Sequence, residues 1–167
     1  MVDSFKFLPR SFRERFAQAT APAEPTPWTP MRKPLREARL ALVTTAGVWD
    51  TATEPSFDYE REKREPNWGD PSYRVIPRDI EQARIGVGHL HINNADLAAD
   101  IDIALPIHRA AELERAGEIG ALAPSAYSFM GFQGSGGDLR EWREVYGPEV
   151  AARMQAEGVD AVLLTPV

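Results

Sequence analysis

A chain of 167 residues, 43% apolar and 26% charged, is long enough to bury a core and has the composition of one ordinary globular domain. Its net charge of −6 argues against a general affinity for nucleic acid or for an anionic membrane. It contains no cysteine, which excludes disulfides, cysteine metal sites and a thiol nucleophile within these residues.

The N-terminus lacks the apolar core and cleavage site of a signal peptide, and no run of about 18 apolar residues suggests a membrane span. The expected location is therefore the cytoplasm. Phe5, Phe7, Phe12 and Phe16 alternate with Lys6, Arg10, Arg13 and Arg15. Two readings are open: an arm that packs its rings on its own domain, or a segment that meets a membrane surface or a partner. Pro22, Pro25, Pro27, Pro30 and Pro34 then hold the chain extended around Trp28. Residues 1–35 are read as a proline-rich arm, and residues 36–167 as a single α/β domain.

Arg39–Thr44, RLALVT, is a short apolar run without helical period, which predicts a strand buried on both faces. Thr44, Thr45, Ala46 and Gly47 follow it, small residues that let a ligand approach the backbone. Residues 51–71 predict a long loop, with the charged run Tyr59–Glu65 as a solvated face. Ser72–Ile76 and Ile85–Ile92 are the next predicted strands. In the second, a two-residue period places His89 and His91 on one face. A helix is expected from Pro106, stopping near Gly117, and a strand over Tyr127–Met130. Gly134–Gly137 has neither Walker nor GxGxxG spacing and is read as a linker. Asp138 caps a predicted helix carrying Leu139, Trp142 and Val145. A second helix starts at Pro148, Gly158 ends it, and Asp160–Val167 returns as a buried strand. Strands alternating with helices predict a mainly parallel sheet with flanking helices, Rossmann-like or flavodoxin-like.

Few residues stand out chemically. His89 and His91 could share a metal with Asp96, Asp100 or Asp102, donate protons in a cleft, or serve structure alone. Arg74, beside Asp70 and Tyr73, could clamp a carboxylate with its planar fork or form a surface ion pair with Asp70. Ser128 lies outside any nucleophile-elbow pattern and is read as structural.

Taken in order, several segments form a recognisable series. They are Pro27–Pro30, Leu40–Val48, Gly69–Pro77, His89–His91, Ile119–Pro124, Tyr127–Gly131 and Gly158–Val167. From about Trp28 to Val167 this series resembles the selenoprotein B family of glycine, sarcosine, betaine and D-proline reductases, in particular its short D-proline-reductase-like members. In that family a Val-Pro-Val or Thr-Pro-Val strand end is followed at once by selenocysteine, or by cysteine in some members.

The resemblance implies a subunit that reductively cleaves a C–N bond of an amino acid or related amine. Substrate would be held as a Schiff base on the pyruvoyl group of a partner subunit, attacked by the selenolate, and the selenol regenerated by a dithiol or thioredoxin-type reductant. Low-pKa thiolates are reactive for the same reason. Selenocysteine is expected just after Val167, encoded by a UGA codon read as stop, which would leave the fold incomplete at its C-terminus. Within this chain no cofactor or metal is expected. Assigned by position, His89 and His91 would be the proton donors or orienters, and Thr44, Thr45, Gly47, Tyr73 and Arg74 would contact substrate. Two other readings remain: a non-catalytic short α/β protein that binds a ligand or partner, and a truncated product without function. An uncovered last strand would also favour a homo-oligomer or another partner at its edge.

Overall fold

Strand β1 (Arg39–Thr44) lies inside the sheet because its side chains are apolar on both faces. Leu40 and Leu42 join one core with Ile76, Leu105, Ile107, Ala110, Leu122 and Ala126. Ala41 and Val43 join a second core with Tyr127, Phe129, Val150 and Met154. The computed structural model describes residues 29–133 and 139–167. The phenylalanine-rich N-terminal segment, Trp28, the Gly134–Gly137 linker and the Asp138 cap lie outside the described residues, as does most of the arm over 1–35. Met31–Val167 forms one compact unit.

Chain order after β1 is β2 (Val48–Asp50), α1 (Tyr59–Arg64), β3 (Tyr73–Pro77), β4 (Ile85–Val87), α2 (Asn94–Ala99), α3 (Ile107–Arg115), β5 (Ala121–Leu122), β6 (Ser125–Phe129), α4 (Gly147–Ala156) and β7 (Ala161–Thr165). In the main sheet β1 pairs in parallel with β5 and β6 on one side and with β7 on the other, and β3 pairs antiparallel with β6. β2 and β4 form a separate antiparallel ribbon. The fold is therefore α/β with a mostly parallel sheet and helices on both faces. α3 buries Ile107 and Ala110 in the first core; α4 buries Val150 and Met154 in the second. The strands on either side of β1 are thus reached by connections over opposite faces. Such a switch point opens a crevice beyond the carboxyl ends of the strands.

Three expectations need correction. The strand read over Ile85–Ile92 stops at Val87. Gly88 lies against Tyr59 and Trp49, where an added Cβ would sit 3.0 Å from the Tyr59 ring, and the chain then turns through Leu90 and His91. The two-residue period therefore does not place the histidines. The charged run Tyr59–Glu65 is largely helix α1, and it buries Glu62 rather than presenting a wholly solvated face. Finally, Trp142–Tyr146 is a wide π-helical turn running directly into α4, so the helices expected on either side of Pro148 are continuous. Such a turn tolerates a proline that would otherwise break the backbone ladder.

At the opposite edge of the sheet, β7 pairs only with β1 among the described strands. Val162 is 42% exposed, Leu163 44% and Leu164 67%. No helix of the described residues is long and apolar enough to cross a membrane.

Candidate functional site at the carboxyl ends of the parallel strands

Three chain segments leave the sheet side by side. After β1, Thr45–Gly47 turns away; Gly47 has φ +64°, a conformation natural only to glycine. After β6, Met130–Gln133 crosses over it, with Gly47 N–H donating to Phe129 O at 2.9 Å and Ala46 bridging Met130. After β7, Val167 N–H donates to Thr45 Oγ1 at 2.9 Å, and that hydroxyl lies 3.3 Å from Val167 O. Thr44 Oγ1 donates to Thr165 O and Thr165 Oγ1 to Val43 O, each at 3.1 Å. Gly131 closes the junction. A Cβ there would lie 2.9 Å from both Thr45 O and Val167 O, so only glycine lets the three segments meet.

The two histidines border this junction. His89 is buried, and its Cβ lies close to the position a Gly47 side chain would take. The His91 backbone N–H donates to His89 Nδ1 at 3.1 Å. Nδ1 therefore accepts, and the neutral ring carries its proton on Nε2. That buried Nε2 has no partner within the described residues. Burial first, and the neighbouring His91 second, hold the His89 pKa below the ordinary histidine range. The ring is thus a neutral, oriented hydrogen-bond donor. His91 is exposed, packs on Phe132 at 4.4 Å between ring centroids, and places Nε2 3.5 Å from Glu62 Oε1. Among the described residues no group of three or more His, Cys, Asp or Glu is placed to hold a metal ion.

Glu62 is the residue that sequence reasoning missed. It is 2% exposed, and neither carboxylate oxygen has a hydrogen-bond donor within the described residues. Burial raises its pKa and Asp70 adds to the rise, with His91 opposing. A run of seven mostly charged residues gives no period to single out one buried member.

Tyr73 and Arg74 do not join this group. Tyr73 packs in the second core against Tyr127, Phe129 and Tyr146. Arg74 is buried, with its guanidinium committed within the chain. Its donors reach Pro55 O at 2.7 Å, Ser56 O at 2.9 Å, Ser72 Oγ at 2.8 Å and Tyr73 O at 2.8 Å. It also lies 3.5 Å from Asp70 Oδ2 and over the Phe57 ring. No surface ion pair forms. Arg74 instead ties the 55–57 loop to β3, and Asp70 holds Asp58 N–H at 2.9 Å at the start of α1. Ser128 is likewise internal, accepting from Val48 N–H at 3.0 Å.

Two cavities flank the junction. A polar cleft of about 410 Å³ is lined by Asn67, Trp68, Gly69, Gln133, Arg140 and Glu144, among others. On the α4 side, an apolar pocket of about 230 Å³ is lined by Val43, Thr45, Phe129, Trp142 and Gly147. The cleft shares Gln133 with the segment leaving β6, whereas the apolar pocket is lined by Thr45 after β1 and by Val43 and Phe129 of β1 and β6, so a ligand entering that pocket would meet the strand ends.

The sequence profile of glycine/sarcosine/betaine reductase selenoprotein B matches residues 20–167. The chain belongs to this selenoprotein B family. It is 42% identical over 145 residues to D-proline reductase subunit gamma of Acetoanaerobium sticklandii, covering 86% of this chain and 55% of that protein. It is 28% identical over 140 residues to the glycine reductase complex component B subunit gamma of Carboxydothermus hydrogenoformans, covering 83% of this chain and 30% of that one. The chain thus spans about half the length of the first relative and under a third of the second. No solved structure matches it.

Proposed function

We propose that these residues form the substrate-side scaffold of a selenium-dependent reductase subunit that cleaves a C–N bond of an amino acid or related amine. The reading includes selenocysteine at the position after Val167, a partner subunit carrying a pyruvoyl group, a dithiol or thioredoxin-type reductant, and action in the cytoplasm. The observation that carries it is the convergence of the Val167 backbone, Thr45, Gly131 and the His89–His91 turn at one junction. The chain's membership of a selenoprotein family and its likeness to two reductase subunits support the same reading.

The residues present fit a reactive group at that place. The chain supplies no thiol of its own. Gly131 leaves room where any side chain would push Val167 away, and His89 keeps an unused buried donor nearby. A selenol there would supply an ionised nucleophile and two-electron redox chemistry at neutral pH, as activated thiolates do. Thr44 and Thr45 hold the last turn of β7 by side-chain hydrogen bonds. Gly47 lets substrate approach the backbone, and His89 orients a substrate acceptor without changing charge. His91, on an exposed ring, exchanges protons with solvent. Tyr73 and Arg74 contribute by bracing the sheet and its loop, away from substrate.

The test is direct. The gene is read past codon 167, and the intact product is weighed and assayed for selenium. The full chain, with its partner subunit, is then assayed with dithiothreitol across proline, glycine, sarcosine and betaine. Selenium at the residue after Val167 and release of a reduced product support the reading. A continuous product without selenium or cysteine at that position, or an enzyme that reduces no amine, overturns it.

A further inference from the structure

We propose that Glu62 and His91 form a proton relay ending at the strand junction, with Glu62 the buried store and His91 the ring that exchanges with solvent. This deepens the reductase reading and rests on it for the identity of the final acceptor. The geometry stands apart from that reading. Glu62 is almost completely buried, both its oxygens lack donors within the described residues, and His91 Nε2 lies 3.5 Å from its Oε1. Structural buried carboxylates are hydrogen-bonded, because an unsatisfied charge away from water is costly. Asp50 and Asp70 follow that rule. Asp50 accepts from Ala52, Thr53 and Arg84, and Asp70 from Asp58 and Ser72. Glu62 departs from it while facing a histidine. Burial without donors shifts such a carboxyl toward its neutral form, and among the described residues His91 is the group placed to take its proton.

The charged surroundings are few. From the 69–74 loop Asp70 faces Glu62 and favours the neutral form. Asp70 is itself engaged by Arg74. From the histidine turn come His91 and, behind it, His89. On α1 itself Lys63 pairs with Glu60 and Arg61 with Glu65, each pair exposed. Arg64, the third cation of α1, forms no ion pair with Glu62 either; the ion pair Glu62 makes among the described residues is with His91. Among the described residues, His91 is the group placed to trade a proton with it over a short distance.

The step balances as follows. The Glu62 O–H bond breaks and an N–H bond forms at His91 Nε2. The proton on the other ring nitrogen passes to the departing amine nitrogen. That nitrogen keeps the electron pair of its broken bond to carbon. The dithiol of the reductase reading supplies the two electrons and, on oxidation, two protons; one of these restores Glu62 through the exposed face of His91, and the other goes to carbon. His89 stays neutral throughout and only positions. Glu62 acts through His91 and is a positioning residue in this scheme.

The experiment uses the full-length chain assembled with its partner subunit. Infrared difference spectra between neutral and alkaline pH should show a protonated carboxyl band in the wild type that is absent in Glu62→Gln, which keeps the shape of the side chain. In turnover, Glu62→Gln should lower kcat at least about tenfold with KM unchanged, within the range of general acid catalysis. His91→Gln should cost as much, and the double variant no more than either alone. Glu62→Asp, which keeps the proton at shorter reach, should recover part of the loss. A Glu62 carboxyl fully ionised at neutral pH overturns the store. Additive losses in the double variant overturn the coupling. If the wild type reduces no amine the reductase reading fails, and the infrared band then decides whether the store is real.

Discussion

Gly131→Ala is the most direct probe of the proposed presentation of a reactive residue after Val167. The added Cβ would lie 2.9 Å from Thr45 O and 2.9 Å from Val167 O. Carbon–oxygen contacts in proteins run at about 3.3 Å or more, so one or both segments must retreat by roughly 0.4 Å. Overpacking of this kind costs about 1–3 kcal/mol. The lower half of that range applies, because Val167 is exposed and can move. For a chain of this size each kcal/mol lowers Tm by about 2–4 °C, so a fall of roughly 2–8 °C is expected. The effect on rate should be disproportionate. A displacement of about 1 Å at a reacting group can cost about 10²-fold, so half of that should cost on the order of tenfold in kcat. Val150→Ala is the control. It truncates a buried side chain on α4, away from the junction, at about 2 kcal/mol and a comparable or larger fall in Tm. Thermal unfolding and steady-state turnover of the complete enzyme give both quantities. If Gly131→Ala keeps wild-type kcat, or if both variants lose activity in proportion to Tm, the junction does not position the reacting residue.

His89→Asn should lower kcat by at least about tenfold, and because burial keeps the ring neutral the loss should be constant above about pH 7 in a pH–rate profile. Burial pushes the Asp50 carboxyl up, but hydrogen bonds from Ala52, Thr53 and Arg84 outweigh it and hold its pKa below the ordinary value. That contribution to stability is present above the unfolded pKa of about 3.9 and is lost as pH falls through the folded value. Arg84→Met should therefore cost on the order of 2 kcal/mol at pH 7, under the figure for fully buried pairs because Arg84 is part exposed, and the cost should shrink below about pH 4 in urea titrations. Leu164→Glu should be neutral within about 0.5 kcal/mol in the 167-residue chain, where Leu164 is exposed, yet should weaken assembly of the complete enzyme in gel filtration if that edge is covered there.

The framework was legible wherever apolar pattern and stop signals agreed. RLALVT could only be a strand buried on both faces, and it is β1, with the predicted bounds. Pro106 and Gly117 bracket α3 as helix start and stop should, and Gly117 indeed has φ +73°. The β7 run was equally plain as a strand, but it was expected to be buried, and Val162, Leu163 and Leu164 are exposed at the sheet edge instead. The β2–β4 ribbon was not, because each strand has three residues and owes its pairing to a partner more than thirty positions away. The antiparallel placement of β3 beside β6 is a tertiary choice that its own alternating pattern does not encode.

The candidate site shows the same boundary more sharply. Thr44, Thr45 and Gly47 were singled out because small residues after a buried strand have a local meaning, and the structure places them at and just after the end of β1. The strand face expected to join His89 and His91 does not form, since β4 ends at Val87. They lie in a turn, and what joins them is the His91 N–H on His89 Nδ1 rather than a strand face. Arg74 differs from its expected setting, since a planar fork suited to a substrate carboxylate donates to Pro55, Ser56, Ser72 and Tyr73. Glu62 could not be seen at all, because what distinguishes it is the lack of a donor, and sequence records which groups are present but not which go unpaired. The asymmetry has a physical origin. Strands and caps are set by neighbours in the chain, whereas an unpaired buried carboxyl exists only once three separate segments have closed over it. A buried carboxyl that costs stability and has no donor is better explained by use than by packing. On that reasoning the Glu62–His91 pair, with no motif to announce it, has a stronger physical claim on the chemistry of this junction than Arg74.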